Sequence, residues 1–589
     1  MTTTKRLLVG AIDFGTTFSG WAYSFKHDYD LDPTKANIKH WLSGSGNLMT
    51  EKTPTCALVN PDGKTLKAFG YDAENEYREL LDRGDDKMFY FFKRFQMKLY
   101  SKIGKGFKRD MTIEDELGRS LLAADVFGMS IKFLVEDMLK HACKGIEGLI
   151  ESFEIHLVIT VPALWSDAAK QFMYEAAEQA GICKEQLTIA LEPEATSLYC
   201  RHVHINKPGD IGDDSIGTLP NGTKYIVINA GGGTIDLTVH EAGSEHTLRE
   251  VKPVSGGEWG GTMVNTEFEN LLIRLVGRTV FEKFKDEEKE DWLEMQREFE
   301  FRKRETNVDS EGKISMRIPT SLTDLYNNHT QLDLRTSLEF SEYAGDIELK
   351  RGKMKISNEV FANMFESSVT KIVDYLTSLL FDGLLKEMRV LLMVGGYSES
   401  RVLHRAVTEA LPGIQVIRPD EASMIVLRGA LIYGHNPVLI SERILKYTYG
   451  TNYTPLFIEG IHPHDKRFKS KDGKIRCRNV FNKFVTTGQT VKPGETQLTD
   501  TYFTPSRRQK AMLFEIYASV NENPVNTDDE GCFEIGRLRI EFDKERHTRN
   551  RRDRKVTLTM LFGETEIIVE VEDKCTGKKK ITTIDFPWK

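Results

Sequence analysis

Two short glycine-containing segments have the residues best suited to hold a phosphate chain. One is Asp13-Phe14-Gly15-Thr16-Thr17 and the other is Gly231-Gly232-Gly233-Thr234. Glycine lets the main chain approach a ligand closely, so several N–H donors can converge on one anion. Asp13 adds a carboxylate that can hold a hydrated Mg²⁺. Two such turns facing each other would grip a triphosphate from both sides, with the metal between them.

Each segment alone is also compatible with an ordinary tight β-hairpin turn. Neither is a Walker A loop, since no GK[ST] follows, and neither is a strand-to-helix GxGxxG. Because the two occur together and a third pair, Gly395-Gly396, follows another apolar run, phosphate binding is the favoured interpretation.

Buried strands are predicted to position these turns. The apolar residues 7–12 predict a strand that ends at the first turn, and YIVINAGGGTIDLTV predicts a strand, the second turn and a second strand. The run VLLMVGGYSESRVLHRAV predicts a strand that leads through Gly395 and Gly396 into a helix.

The chain between the first two turns predicts a strand followed by an amphipathic helix. The strand ends at Pro162, and the helix has Ser166 or Asp167 as its N-cap and Gly181 at its C-terminal end. Residues 268–380 are predicted to be mostly helical, with charged faces.

Length and composition limit the class of protein. A chain of 589 residues predicts two to four domains, and 40% hydrophobic with 29% charged residues is typical of a globular protein. The net charge of −8 argues against a general nucleic-acid or anionic-membrane binder, and no run of 18 uncharged apolar residues predicts a membrane span. The seven cysteines form no CxxC pair, which indicates neither a zinc site nor a disulfide framework and favours the cytoplasm or nucleus.

The sequence pattern changes after about residue 437. Short alternating segments such as RLRIEF and KVTLTMLF, separated by turn residues, are typical of β-sheets. We therefore predict a nucleotide-binding domain over residues 1–437, a linker over 438–447 and a β-rich domain over 448–589. The basic run 544–555 is predicted to be a solvated loop between strands, with a nuclear-localisation or acidic-partner site as the alternative.

Several motifs occur together in an order that resembles a known family. DFGTT, ITVPALW, LEPEA, GGGTIDL and VGGYSESRVL resemble the nucleotide domain of the 70-kDa heat-shock proteins, and specifically a divergent branch of that family. The resemblance covers roughly residues 6–435 and implies an α/β fold. Its expected form is a duplicated, ribonuclease H-like and actin-like pair of lobes around an ATP cleft, followed by a β-sandwich substrate-type domain that lacks a helical lid.

The resemblance implies a role for each matching residue. It implies phosphate contacts at Gly15, Thr16, Thr17, Gly231, Gly232, Gly233 and Thr234, and a carboxylate at Glu192 that positions the attacking water. It implies metal contacts at Asp13, Asn229 and Asp420, and nucleoside contacts at Glu300, Lys303, Arg304, Gly395 and Gly396. The implied catalytic residues are Glu192, Thr234 and Lys93. Arg94 is the alternative to Lys93 for the family's catalytic lysine. ATP or ADP and Mg²⁺ are the implied cofactors.

Three departures from the family pattern argue against fast hydrolysis. Asn229 stands where the family has an aspartate beside the metal-bound water, Asn265 stands where the related motif has an acid, and Glu399 stands where classical members have an arginine near adenine. A neutral amide lacks the Coulomb attraction of a carboxylate for Mg²⁺. Our hypothesis is that the protein binds ATP or ADP and hydrolyses ATP slowly.

The end of the sequence resembles the family's peptide-binding region. The segment ETEIIVEVEDKCTGKKKITTID is similar to the last strands of that β-sandwich. Protein or peptide clients and co-chaperones are therefore the implied partners, and without a lid a bound peptide should dissociate faster. A nucleotide-gated scaffold with little hydrolysis is the second hypothesis. A small-molecule kinase is the third and is disfavoured, because such an enzyme does not need the C-terminal β-region.

Overall fold

The computed structural model of the protein describes most of the chain. It covers residues 6–42, 49–100, 109–145, 150–203, 219–306, 312–381, 388–470, 473–503, 510–542, 555–562 and 567–583. Within these ranges, no helix combines the length and the apolar character that a membrane crossing needs. The predicted basic loop, apart from Lys555, lies outside the described residues.

The part of the chain up to residue 203 is the first lobe. Its strands are β1 (Leu8–Phe14), β2 (Phe18–Phe25), β3 (Asn37–Ile38), β4 (Trp41–Leu42), β5 (Met49–Thr50), β6 (Thr53–Pro54), β7 (Cys56–Val59), β8 (Leu66–Phe69), β9 (Tyr90–Lys93), β10 (Thr112–Glu114), β11 (Ser120–Leu122), β12 (Ile155–Val161) and β13 (Leu187–Leu191). Its helices are α1 (Lys26–Leu31), α2 (Tyr71–Arg83), α3 (Gln96–Tyr100), α4 (Ala123–Ala142), α5 (Asp167–Gln179) and α6 (Glu192–His202).

Residues 219–444 contain the second lobe, a helix (α15, Ile425–His435) that packs against the first lobe, and the strand that leaves the second lobe. The strands are β14 (Lys224–Ala230), β15 (Ile235–Ala242), β16 (Leu248–Gly257), β17 (Lys313–Arg317), β18 (Ile347–Lys350), β19 (Lys353–Ser357), β20 (Val390–Val394), β21 (Gln415–Ile417) and β22 (Ile440–Ile444). The helices are α7 (Thr262–Val276), α8 (Arg278–Glu287), α9 (Lys289–Glu305), α10 (Thr320–Thr330), α11 (Leu334–Glu339), α12 (Asn358–Asn363), α13 (Glu366–Leu380), α14 (Arg401–Ala410) and α15 (Ile425–His435).

The remaining described chain contains only strands and short turns. These strands are β23 (Thr448–Tyr453), β24 (Arg467–Lys469), β25 (Ile475–Cys477), β26 (Val480–Val485), β27 (Thr490–Val491), β28 (Thr496–Phe503), β29 (Ala511–Ser519), β30 (Cys532–Glu541), β31 (Lys555–Leu561), β32 (Ile568–Asp573) and β33 (Lys578–Thr583). In the described residues they form two four-stranded sheets, β26-β23-β29-β30 and β28-β31-β32-β33, besides the small pair β24-β25. Side chains of both larger sheets, such as Phe514 and Leu558, belong to one hydrophobic core.

The two lobes repeat one sheet arrangement. In the first, β1 pairs antiparallel with β2 and parallel with β12, which in turn pairs parallel with β13. In the second, β14 pairs in the same way with β15 and β20, and β20 pairs parallel with β21. The glycine turns follow β1 and β14, the equivalent strands of the two sheets. The α/β class predicted from the sequence is confirmed, and the repetition is what a duplicated design predicts.

The helix α5 forms where the sequence predicted it. Ser166 is its N-cap, and the Ser166 hydroxyl accepts a hydrogen bond from the Ala169 N–H at 3.3 Å. The helix ends just before Gly181, whose φ of +88° only glycine adopts without strain.

Residues 268–380 are less uniformly helical than predicted. The strands β17, β19 and β18 form a three-stranded antiparallel sheet within this region. Their short alternating sequences, KISMR and KMKIS, bury Met316, Met354 and Ile356 on one face. Five-residue alternation is too short to stand out against the surrounding helical pattern.

The segment 438–447, predicted as a linker, contains a strand of the second sheet. Strand β22 pairs parallel with β16 and antiparallel with β27. It therefore joins β16 of the second lobe to β27, a strand from the C-terminal part of the chain, by main-chain hydrogen bonds.

Candidate functional site

The two glycine turns face each other between the lobes. A Cβ atom added to Gly232 would lie 2.5 Å from Thr17 Oγ1, and one added to Gly233 would lie 2.9 Å from Thr16 Oγ1. Side chains at either glycine would force the turns apart. The two turns therefore lie close together and face each other, as binding of one phosphate chain between them requires.

The second turn presents its N–H groups to the space between the lobes. The carbonyls of Gly231, Gly232 and Gly233 accept hydrogen bonds from the start of α7, at 2.8 to 3.2 Å. The N–H groups of Gly232 and Gly233 donate to no main-chain carbonyl among the described residues. Unpaired N–H donors at a turn are suited to bind an anion.

A cavity of about 590 Å³ opens between these turns and extends into the second lobe. This volume is typical of a small-ligand site. The residues predicted from the sequence that line it are Asp13, Gly15, Thr16, Thr17, Glu192, Asn229, Gly231, Gly232, Gly233, Thr234, Glu300, Lys303, Arg304, Gly395 and Gly396.

An ionic network holds the predicted nucleoside contacts on α9. Glu300 accepts from Arg94 at 2.6 Å, from Asn265 at 2.7 Å and pairs with Lys303 at 2.8 Å. Lys303 also donates to Asn265 Oδ1 at 2.8 Å. Burial opposes ionisation of Glu300, but the charges of Lys303 and Arg94 outweigh it, so the pKa of Glu300 falls below its ordinary value. Arg304, the remaining predicted contact, lies 4.5 Å from the Phe18 ring centroid.

The surroundings of Glu192, at the centre of the cleft, disfavour the charged form of its carboxyl group. Burial raises the pKa of Glu192 well above its ordinary value, and Asp13 and Asp236 raise it further. Asn229 Nδ2 donates to Glu192 Oε2 at 2.5 Å. The amide that replaces the expected aspartate therefore donates to Glu192 through Nδ2, and it carries no negative charge to attract a metal ion.

Sequence reasoning missed two residues of this centre. Lys52 lines the cavity and its Nζ lies 2.5 Å from Asp13 Oδ2. Asp236, in the quoted motif GGGTIDL, is fully buried and accepts from the Ala163 N–H at 2.8 Å. The position of Asp236 directly after the second turn was a usable signal. Lys52 opens the segment KTPT, which resembles the family, but nothing in that segment indicated a contact with Asp13, 39 residues away.

Two predicted residues lie away from the cavity lining. Lys93 donates to Gln296 at 2.8 Å, and Asp420 is exposed. Lys93 belongs to a row of contacts between α9 and the first lobe, which also includes Arg94–Glu300, Arg297–Glu74 at 2.5 Å and Arg78–Glu290 at 2.9 Å. This row, which we call the α9 clasp, holds the two lobes together at the cleft.

Comparison with known proteins shows which family the sequence resembles. No family model matches the chain. Heat shock 70 kDa protein 12A of Homo sapiens is 31% identical over 627 residues, which cover 98% of this chain and 91% of that protein. The chain belongs to the 70-kDa heat-shock protein family.

Other members of the family match over different lengths. Heat shock 70 kDa protein 12B of Homo sapiens is 31% identical over 636 residues, again covering 98% of this chain and 91% of that protein. Chaperone protein DnaK of Endomicrobium trichonymphae is 33% identical over 116 residues, or 20% of this chain and 16% of that protein. Within the 70-kDa heat-shock family the chain thus belongs with the 12A/12B branch.

The 70-kDa heat-shock family implies Mg²⁺ beside the nucleotide phosphates, and the residues predicted to hold it offer few uncommitted protein ligands. Both oxygens of Asp13 accept hydrogen bonds, from Lys52 and from Thr160. Asn229 donates to Glu192, and Asp420 lies outside the lining. Across the ranges that the structure describes, no three His, Cys, Asp or Glu side chains are grouped so that they could hold a metal ion.

Proposed function

We propose that this 70-kDa heat-shock family member binds ATP or ADP between its lobes and hydrolyses ATP slowly. The apposition of the two glycine turns is the observation on which the proposal rests. The turns would bind the phosphate chain through their N–H groups and the hydroxyls of Thr16 and Thr17. The α9 residues Glu300, Lys303 and Arg304, with Gly395 and Gly396, would contact the nucleoside.

Slow hydrolysis follows from the state of Glu192. Burial raises the pKa of Glu192 and so disfavours its charged form, and only the charged carboxylate can accept a proton from water. Asn229 cannot take over this role, because a neutral side-chain amide does not take up a proton at neutral pH. These two features also favour the second candidate, a nucleotide-gated scaffold with negligible turnover.

The C-terminal sheets support a chaperone-like role in binding protein or peptide clients. The proposed form is a β-sandwich substrate-type domain. Tyr453 and Phe503, at the ends of β23 and β28, are 43% and 52% exposed. Tyr453 lies 6.4 Å, centroid to centroid, from Tyr502, which precedes Phe503 in β28. Exposed apolar side chains in one place suit an extended hydrophobic peptide.

We expect calorimetric titration to give saturable binding of both ATP and ADP. Single-turnover phosphate release from the same sample should be far slower than about 1 s⁻¹, the lower end of ordinary enzyme turnover. The variant Asn229→Asp should release phosphate faster, because a carboxylate there can accept a hydrogen bond from water. Asn363→Asp, at an exposed site on α12, is the matched control and should change nothing. Brisk turnover in the unaltered protein, with no gain from Asn229→Asp, would refute slow hydrolysis.

The α9 clasp is expected to slow nucleotide release. Arg297, on α9, donates to Glu74 of the first lobe through Nη2 at 2.5 Å and Nε at 3.2 Å. Because a partly exposed ion pair is worth about 1 kcal/mol or less, Arg297→Ala should accelerate release by up to about 5-fold. Stopped-flow displacement of a fluorescent adenine nucleotide measures this rate. Arg317→Ala removes a pair with Glu294 inside the second lobe and should leave the rate unaltered; equal rates for both variants would show that the clasp does not gate release.

A further inference from the structure

Lys52 takes the place beside Asp13 that a cation at the phosphate loop would occupy. Its Nζ lies 2.5 Å from Asp13 Oδ2, and the two side chains are only 16% and 6% exposed. Thr160 Oγ1 donates to the other oxygen, Oδ1, at 3.1 Å. The carboxylate is therefore satisfied by protein groups on both oxygens.

The main chain fixes Lys52 relative to the first glycine turn. Strand β6, directly after Lys52, pairs with β2, directly after the turn. Thr55 then donates through its N–H to the Thr17 carbonyl at 2.9 Å and through its hydroxyl to the Gly15 carbonyl at 2.7 Å. The ammonium is thus held beside the turn and within the cavity lining.

The second turn has less negative charge beside it to attract Mg²⁺ than the family pattern has. Asn229 is neutral and uses its amide N–H on Glu192. A divalent cation beside Asn229 would lack the attraction of the carboxylate that the family has at this position, and Asp13 is already paired with Lys52. A lysine ammonium, by contrast, binds phosphate as a compact point charge.

We propose that Lys52 is the cation that neutralises the nucleotide phosphates in this cleft, so that nucleotide binding depends on Lys52 more than on Mg²⁺. This inference rests on the proposed nucleotide site and states how that site balances the phosphate charge. An ammonium has three donors, so Lys52 can keep its bond to Asp13 and direct the others at phosphate oxygens.

The test is the affinity for ADP and ATP, measured by calorimetry in excess Mg²⁺ and in EDTA. For the unaltered protein we expect the two conditions to agree within about threefold. Loss of a hydrogen bond to a charged group costs about tenfold or more in affinity, so Lys52→Met should lose at least that much in EDTA. Lys52→Arg, which keeps the charge, should retain most of the affinity.

Lys39→Met is the matched control, because Lys39 pairs with Asp137 at 2.8 Å with similar burial but outside the cavity lining. Melting curves without nucleotide would show whether each variant is folded. If Lys52→Met is not folded, Lys52→Arg would be compared with Lys39→Met instead. A fall of about 100-fold or more in EDTA for the unaltered protein, or Lys52→Met binding as tightly as Lys39→Met, would overturn the inference. No binding by the unaltered protein in either condition would instead overturn the proposed nucleotide site itself.

Discussion

Replacing Gly232 by valine is expected to abolish nucleotide binding, with affinity for ADP at least about 100-fold weaker, or about 3 kcal/mol. The added Cβ would lie 2.5 Å from Thr17 Oγ1 and 2.6 Å from Thr17 Cγ2. Such overlap can be relieved only if the two turns separate, which removes the convergence of their N–H groups. Calorimetric titration with ADP, beside a circular dichroism spectrum, measures the effect.

A second glycine substitution separates loss of the site from loss of stability. Gly84 follows α2 with a φ of +73°, and nothing lies within 4 Å of the Cβ that alanine would add. Gly84→Ala should cost about 1 kcal/mol of stability through its backbone conformation yet bind ADP normally. If Gly232→Val binds ADP as well as Gly84→Ala does, the turns do not hold the phosphates.

Replacing Arg443 by methionine is expected to destabilise the protein by about 3–5 kcal/mol. Arg443, on β22, donates to both oxygens of Glu194 at 2.7 and 2.6 Å, and these residues are only 7% and 5% exposed. Removing the guanidinium leaves a buried carboxylate without its counter-charge. Scanning calorimetry should show a melting transition lower by about 3–5 °C.

A double-mutant cycle tests the origin of this loss. Glu194→Met combined with Arg443→Met removes both charges and should recover at least half of the stability, since the unpaired carboxylate is gone. Arg249→Ala, which breaks a more exposed pair with Glu241, should cost about 1 kcal/mol or less. An Arg443→Met variant as stable as Arg249→Ala would show that the buried pair contributes little.

The features that the sequence predicted well are set by neighbouring residues. The glycine turns follow apolar strands in β1 and β14, and the cap of α5 needs only Ser166 and the periodic helix behind it. In each case the signal and the structure lie within about twenty residues, where backbone preference and hydrophobic periodicity act directly.

The features that escaped prediction depend on contacts between distant residues. Lys52 meets Asp13 only because β6 pairs with β2, and Arg443 meets Glu194 across 249 positions of the chain. Lys93, chosen for its sequence surroundings, instead donates to Gln296 in the opposite lobe. A single sequence gives no measure of such pairings, because they follow from how the lobes pack rather than from local pattern.

The placement of β22 has a practical consequence for cutting the chain into pieces. A recombinant fragment ending at residue 437 would remove a strand from the second sheet and leave the edge of β16 unpaired. It would also leave Glu194 buried without Arg443, and Glu250 without the Ile444 N–H that it accepts at 2.8 Å. An open sheet edge invites self-association, so a nucleotide-binding fragment should keep β22, and it must also keep β27 if the outer edge of β22 is to stay paired.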